Sequence, residues 1–227
     1  MLIKRRAMSD EQKQVRRQAI LDAAMELFQE TSYEAVNIVD VAKRAGIAKG
    51  TVYLYFQTKE ELFLALQTGE LEAWFDEIDR LLQETQATGS NCTADGLVAL
   101  VRHSLEDRAT MARLFAILHT TLEHNIDFAT ALNFKQMLRE RLLQTGSLIE
   151  ARLPFLKPGQ GAQTLMRMYA LLIGVQNLAE PAPLIRQTLE EPGMEIFKIG
   201  FLDEFSESVR TLLYGLEYQA KRNDYEQ

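Results

Sequence analysis

Residues 45–62, AGIAKGTVYLYFQTKEEL, bring together two lysines, two glycines and three aromatics in one short stretch. Those residue types at that spacing suit contact with a nucleic-acid duplex. Lys49 can donate to guanine O6 and N7 in a major groove. Thr51, Tyr53 and Tyr55 offer hydroxyl donors to phosphate oxygens, which set register without reading sequence. Gly50, with no side chain, lets the backbone approach a sugar-phosphate strand, where its amide sits at the positive end of a helix dipole. Lys59 can clamp an adjacent phosphate, and Arg5 and Arg6 can reach a minor groove from an N-terminal arm. A second reading stays open for the tyrosines, because aromatics at helical spacing often belong to a core.

The elements that would position these groups are short helices. Asn37 is placed to cap a helix of about two turns, with Ile38, Val41 and Ala42 facing inward and Gly46 ending it in a left-handed conformation. A further short helix is predicted from Lys49 to about Phe56, with Val52 and Phe56 packing inward. Two short helices joined by a glycine turn have the dimensions of a helix-turn-helix. A longer helix at 9–31, opened by a Ser9/Gln12 capping box, precedes the pair. Thr58 with Glu61 forms a second capping box that opens a long connecting helix.

Charge separates this region from the rest. The 227 residues carry a formal net charge of -7, which by itself argues against a phosphate-rich partner. Residues 1–59 nevertheless hold ten Lys and Arg against seven Asp and Glu, whereas 60–227 hold 15 against 25. The basic first quarter is therefore the expected docking face. No apolar stretch follows Lys4, Arg5 and Arg6, and the apolar run Met168–Val175 is far short of a bilayer span, so a cytoplasmic protein without a membrane partner is expected. A single cysteine, Cys92, cannot form an internal disulfide.

Helical periodicity continues at 94–107, 110–123, 126–152, 161–179 and 201–221, beyond a linker at 87–93, and no period-2 strand appears. The fold class expected is all-α: a three-helix N-terminal domain at 1–57 and a larger helical domain at 58–227.

The run IVDVAKRAGIAKGTVYLYFQTKEELF, 38–63, together with ILDAAMELFQETSYEAVN, 20–37, resembles the DNA-binding signature of the tetracycline-repressor (TetR) family of bacterial transcription regulators. The resemblance covers about the first 70 residues. It implies a DNA-binding domain, a connecting fourth helix, a ligand-binding domain and a homodimer on a palindromic operator. It also implies DNA contacts for Asn37, Lys49, Thr51, Tyr53, Tyr55 and Lys59. Three residues depart from the family pattern. Asn37 stands in place of threonine and keeps the capping chemistry. Ala48 stands where a serine or threonine cap is common, which leaves the recognition helix uncapped at a cost of about 0.5–2 kcal/mol. Ser32 stands where glycine is usual, and would be strained in a left-handed conformation.

The acidic remainder suggests two further surfaces. Met166–Val175 is apolar nearly all round, and 201–221 carries the stripe Phe201, Phe205, Val209, Leu212, Leu213 and Leu216, with small residues Gly174, Ser206, Ser208 and Gly215 beside it. A homodimer interface is therefore expected from the last two helices, through Leu172, Val175, Phe205, Val209, Leu212, Leu213 and Leu216. An unidentified small-molecule inducer would sit among the helices before them, where Trp74, His103, Met111, Arg113, Phe115, His119, Phe134 and Met137 are the candidates. His103 with Glu106 and His119 with Glu123 share helix faces, yet no Glu-x-x-His pair or second cysteine completes a metal set. No glycine-rich phosphate loop, nucleophile elbow or zinc signature is present, so no cofactor and no catalysis are expected. The competing readings are an all-α metal-binding or enzymatic bundle with an incidental helix-turn-helix, and a helix-turn-helix used for protein contacts. Duplex binding separates both from a ligand-responsive repressor.

Overall fold

In a computed structural model that describes residues 10–87, 93–118 and 120–225, every described element is helical. The order is α1 (Asp10–Glu30), α2 (Ile38–Arg44), α3 (Lys49–Val52), α4 (Lys59–Ala87), α5 (Ala94–Leu105), α6 (Ala109–Leu118), α7 (Phe128–Glu150), α8 (Gln160–Ala179), α9 (Pro183–Thr188) and α10 (Phe201–Tyr225). Short 3-10 turns lie at Leu122–His124 and Glu195–Phe197. Ser9, Arg5, Arg6, Cys92 and His119 lie outside the described residues.

Helices α1 to α3 close around a small core of Ile20, Ala24, Phe28, Val41, Val52 and Phe56, all buried. Asn37 caps α2 by accepting from the amides of Val39 and Asp40, each at 3.0 Å. Gly46 ends the turn with φ +65°, which a side chain would resist. Arg44 locks α2 to α1 through Glu26 and Glu30, both at 3.0 Å.

Three expectations are corrected here. The helix predicted over 49–56 is one turn, because the amides of Leu54 and Tyr55 bond three residues back to Thr51 and Val52 and tighten the chain into a turn. The helix predicted over 110–123 is divided into α6 and the 3-10 turn. Ser32 is not left-handed, since none of the described non-glycine residues has positive φ; it accepts from the amides of Ala35 and Val36 instead. Beyond these, Pro183 opens an unforeseen helix, α9, at a position that needs no amide donor.

Helix α4 links the two parts. Thr58 accepts from the Glu61 amide at 3.0 Å and Glu61 from the Gln57 amide at 2.7 Å, so the capping pair forms. The side of α4 near its start carries Phe63 between Phe28 and Tyr33, with ring centroids 5.4 and 4.8 Å away. Further along, Asp79 accepts from Gln144 at 2.6 Å and from Thr145, which ties α4 to α7. Helices α7 and α8 then meet backbone to backbone: a Cβ at Gly161 would lie 2.1 Å from the Gly146 carbonyl oxygen. No described helix is long and apolar enough to cross a membrane.

Candidate nucleic-acid interface and apolar cavity

The exposed end of the helix-turn-helix is built from α3 and the turn after it. Val52 and Phe56 are fully engaged in the core, so Tyr53 and Leu54 between them are forced outward. Tyr53 is 44% exposed and Leu54 82%. Lys49 has no carboxylate partner among the described residues, and its ammonium lies 5.9 Å from the Tyr53 ring centroid. A Cβ at Gly50 would meet nothing within 4 Å; the fold itself does not require that glycine. Ala48 makes no side-chain cap; its carbonyl accepts from the Thr51 amide at 2.8 Å, while the Lys49 and Gly50 amides have no partner among the described residues. Uncommitted donors, a lone cation and an open backbone make this face chemically ready for an anionic backbone.

Not every predicted contact shares that freedom. Asn37 spends its carbonyl oxygen on capping α2. Tyr55 is half-buried and packs against the core. Lys59 turns inward, donating to the Tyr33 carbonyl with its ammonium 3.9 Å from the Tyr33 ring centroid. Burial there lowers its pKa from the ordinary lysine value, against the pull of Glu34 and Glu60. The exposed Leu54 is not among the residues expected from sequence, which are donors to phosphate or base, and its side chain has no donor to mark it.

The second site lies inside the bundle. A cavity of about 50 Å³ is enclosed by Leu71, Trp74 and Phe75 of α4, Met111, Phe115 and Leu118 of α6, and Phe134, Leu138 and Leu142 of α7. Val101 and Leu105 of α5, five residues of α8 and Phe205 of α10 complete it. Every lining side chain is apolar or aromatic. The Trp74 indole donates to Ser104 at 3.0 Å. The Tyr169 ring stands 5.0 Å from that of Phe115, and burial, with the Glu123 carboxylate, raises the Tyr169 pKa.

Of the predicted ligand residues, Trp74, Met111, Phe115 and Phe134 come together in this cavity. His103 does not; it is on the surface, 3.1 Å from Glu106. Met137 lines a separate open cleft with Arg17, Tyr55 and Glu61. Among the described residues no group of three His, Cys, Asp or Glu could hold a metal ion. Arg113 faces away from the cavity. Its guanidinium lies 4.5 Å over Phe28, donates to the Thr31 carbonyl at 2.6 Å, and comes within 3.9 Å of Glu180. The helix that lines the cavity through Met111 and Phe115 therefore grips the end of α1 through Arg113. Thr58 makes a second bridge, donating to the Asn125 carbonyl at 3.0 Å.

The residues expected at a dimer interface divide. Leu172, Val175, Phe205, Val209 and Leu213 are buried in the protomer's own core, and Leu172 and Phe205 line the cavity. These five are packed within the protomer, where α10 lies against α5 and α8. Leu212 and Leu216 are partly open, and the outward faces of α8 and α10 carry Ala170, Leu171, Gly174, Leu178, Thr211 and Gly215. Added Cβ atoms at Gly174 and Gly215 would meet nothing within 4 Å.

Comparison with known proteins covers both parts. Residues 20–66 match the model for bacterial regulatory proteins of the tetR family, and residues 68–220 match the model for the tetracyclin repressor-like C-terminal domain. The fatty acid metabolism regulator protein of Bacillus subtilis (strain 168) is 29% identical over 125 residues, 55% of this chain and 56% of that protein. The HTH-type transcriptional repressor ComR of Escherichia coli (strain K12) is 30% identical over 130 residues, 56% of this chain and 61% of that protein. The chain thus matches little more than half the length of each. In fold, it is similar to the transcriptional regulator FadR of Bacillus subtilis in complex with stearoyl-CoA. That likeness has a TM-score of 0.53 at 21% identity over 86% of this chain and 96% of that one.

Proposed function

Because the chain belongs to the tetracycline-repressor family of bacterial transcription regulators, we propose that it is a homodimeric cytoplasmic repressor released from a palindromic operator by a ligand with a long apolar chain. The observation that carries the DNA-binding half is the uncommitted α3 face, where Lys49, the Gly50 backbone, Thr51 and Tyr53 stand free of the core. A one-turn helix reads few base pairs, so two copies about 34 Å apart, each on a half-site, supply the discrimination one lacks. The outward α8 and α10 faces, with Gly174 and Gly215 open, suit close packing of a second copy.

The ligand reading rests on the cavity. An entirely apolar lining selects hydrocarbon, and a relative named as a fatty acid metabolism regulator supports an acyl chain. The cavity is far smaller than such a chain. Entry must move its walls, and two of those walls lead to the DNA-binding domain. Displacing Leu71, Trp74 and Phe75 tilts α4, whose start holds Phe63 between Phe28 and Tyr33. Displacing Met111 and Phe115 drags Arg113 against Phe28 and Thr31. The ligand releases DNA to the extent that it favours the expanded cavity over the closed one.

Selection of bound duplex from a random pool tests the first half, and titration of the selected duplex with palmitate and palmitoyl-CoA the second. A palindromic consensus and release by an acyl ligand are expected. Failure to bind any duplex at low salt overturns the regulator reading, and a monomer by light scattering at micromolar concentration overturns the dimer.

A further inference from the structure

The cavity has a charged neighbour. Leu138, Leu142 and Met166 line it from inside and also line a surface groove between α7 and α8. Met166, 46% exposed, stands at the boundary between the two. The groove exists because α7 and α8 touch at Gly146 and Gly161 and leave a gap further along.

Three cations edge that groove, Lys135 and Arg139 from α7 and Arg167 from α8, and no carboxylate lines it. Lys135 is occupied by Glu123 at 2.6 Å. Arg139 and Arg167 are exposed and make no ion pair or hydrogen bond among the described residues. Glu204 and Glu207 share the next groove with Arg167, yet neither comes within ion-pair distance. In a domain with 25 acidic residues against 15 basic ones over 60–227, two unpaired arginines at the lip of an apolar cavity are out of keeping with their surroundings. Guanidinium groups form charge-assisted, bidentate bonds with carboxylates and phosphates.

We propose that the α7/α8 groove is the head-group site and portal for an anionic amphiphile, whose alkyl chain passes Met166 into the cavity while its carboxylate or phosphate lies between Arg139 and Arg167. The assignment rests on the apolar-chain reading of the cavity and adds the anionic head as a condition for tight binding. It also places the head beside the outward face of α8, away from DNA.

Trp74 is the sole tryptophan of the chain and lines the cavity, so its fluorescence reports occupancy. The 227-residue chain is titrated with palmitate, palmitoyl-CoA and uncharged hexadecanol, as wild type and as the Arg139→Gln/Arg167→Gln double variant. Both arginines are exposed, and circular dichroism and light scattering check the fold and oligomeric state. Expected is a Trp74 response to all three probes in wild type, with anionic probes held more tightly. In the double variant, affinity for the anionic probes falls on the order of tenfold or more, as for lost charge-assisted bonds, and that for hexadecanol is unchanged. Preference for palmitate over palmitoyl-CoA, or the reverse, tells a carboxylate head from a phosphate one. Equal binding of charged and uncharged probes, or an unaltered double variant, overturns the head-group site while leaving the cavity reading intact. A change of oligomeric state in the double variant also overturns it, by marking the groove as an interface. Failure of wild type to bind any of the probes overturns both.

Discussion

The two ends of the molecule are built on opposite terms. At the α3 face, the proposed function falls on residues the fold does not use: among the described residues Lys49 has no acidic partner, Gly50 no neighbour to accommodate, and Ala48 no cap to make. In the bundle cavity, the proposed function falls on residues that the fold uses fully, since Trp74, Met111, Phe115 and Phe134 are packed wall and would be binding surface as well. The first arrangement lets binding change without touching stability. The second would make ligand binding and folding draw on the same contacts, so that a ligand entering there would deform the protein.

The sharpest way to break this contrast is to truncate one residue on each side. Phe75 is buried, lines the cavity, and holds Trp74 at 5.1 Å and the Arg141 guanidinium at 5.4 Å. Phe75→Ala should cost about 3–5 kcal/mol of stability, read as a lower denaturation midpoint. A loss below about 1 kcal/mol would mean the cavity region is not well packed, and the coupling argument would lose its basis.

Lys49→Ala should leave that midpoint in place. Instead it should lower discrimination between operator and random duplex by about 1–3 kcal/mol, the worth of one bidentate base contact. Lys59→Ala gives the mixed case. Its ammonium already serves Tyr33, so the variant should lose stability as well as any phosphate contact, whereas a purely DNA-facing lysine would not. Competition binding beside thermal melts separates the two.

Gly50→Ala is a smaller test with opposite signs in its two readouts. With nothing within 4 Å of the new methyl group, replacing glycine in a helix should raise stability by about 0.5–1 kcal/mol, while duplex binding weakens as the methyl meets the sugar-phosphate strand. Equal or tighter binding by Gly50→Ala would show that the backbone at this position does not approach DNA.

The contrast also explains what could be read in advance. Residues 37–61 follow local rules: Asn37 caps, Gly46 turns, Thr58 and Glu61 close a box, and each has its partner within four positions. Spacing alone reveals such features. The cavity is assembled from six helices, and nothing local marks Leu118 or Tyr169 as its lining. For the same reason Leu172 and Phe205 read as an interface stripe, since periodicity identifies a buried face without saying what buries it. Arg113 was singled out for the ligand, yet its partners Phe28 and Thr31 are more than 80 residues away in sequence, and only the folded chain brings them together. Chain separation, not residue type, set the limit.

Ala48 brings the comparison down to a single hydroxyl. Helices α2, α5 and α7 begin with capping side chains, Asn37, Thr93 and Asp127, whereas α3 begins with none and runs for one turn. An uncapped start leaves amides free for phosphate, but it also leaves the recognition turn easier to fray when DNA is absent. Ala48→Ser supplies an acceptor for those amides, and its backbone is already extended at φ -73° and ψ 145°, as a cap requires. The gain should be about 0.5–1 kcal/mol, the lower part of the range for caps, because the helix end is solvated. Amide hydrogen exchange at Gly50, whose amide is uncommitted, would read it directly as slower exchange in the free protein. If the free amides serve only to meet phosphate, Ala48→Ser should bind the operator more weakly despite its better-formed α3. If fraying is what limits binding, the same variant should bind more tightly. Either outcome assigns the missing cap a role, and the sign tells which side of the stability and binding contrast it belongs to.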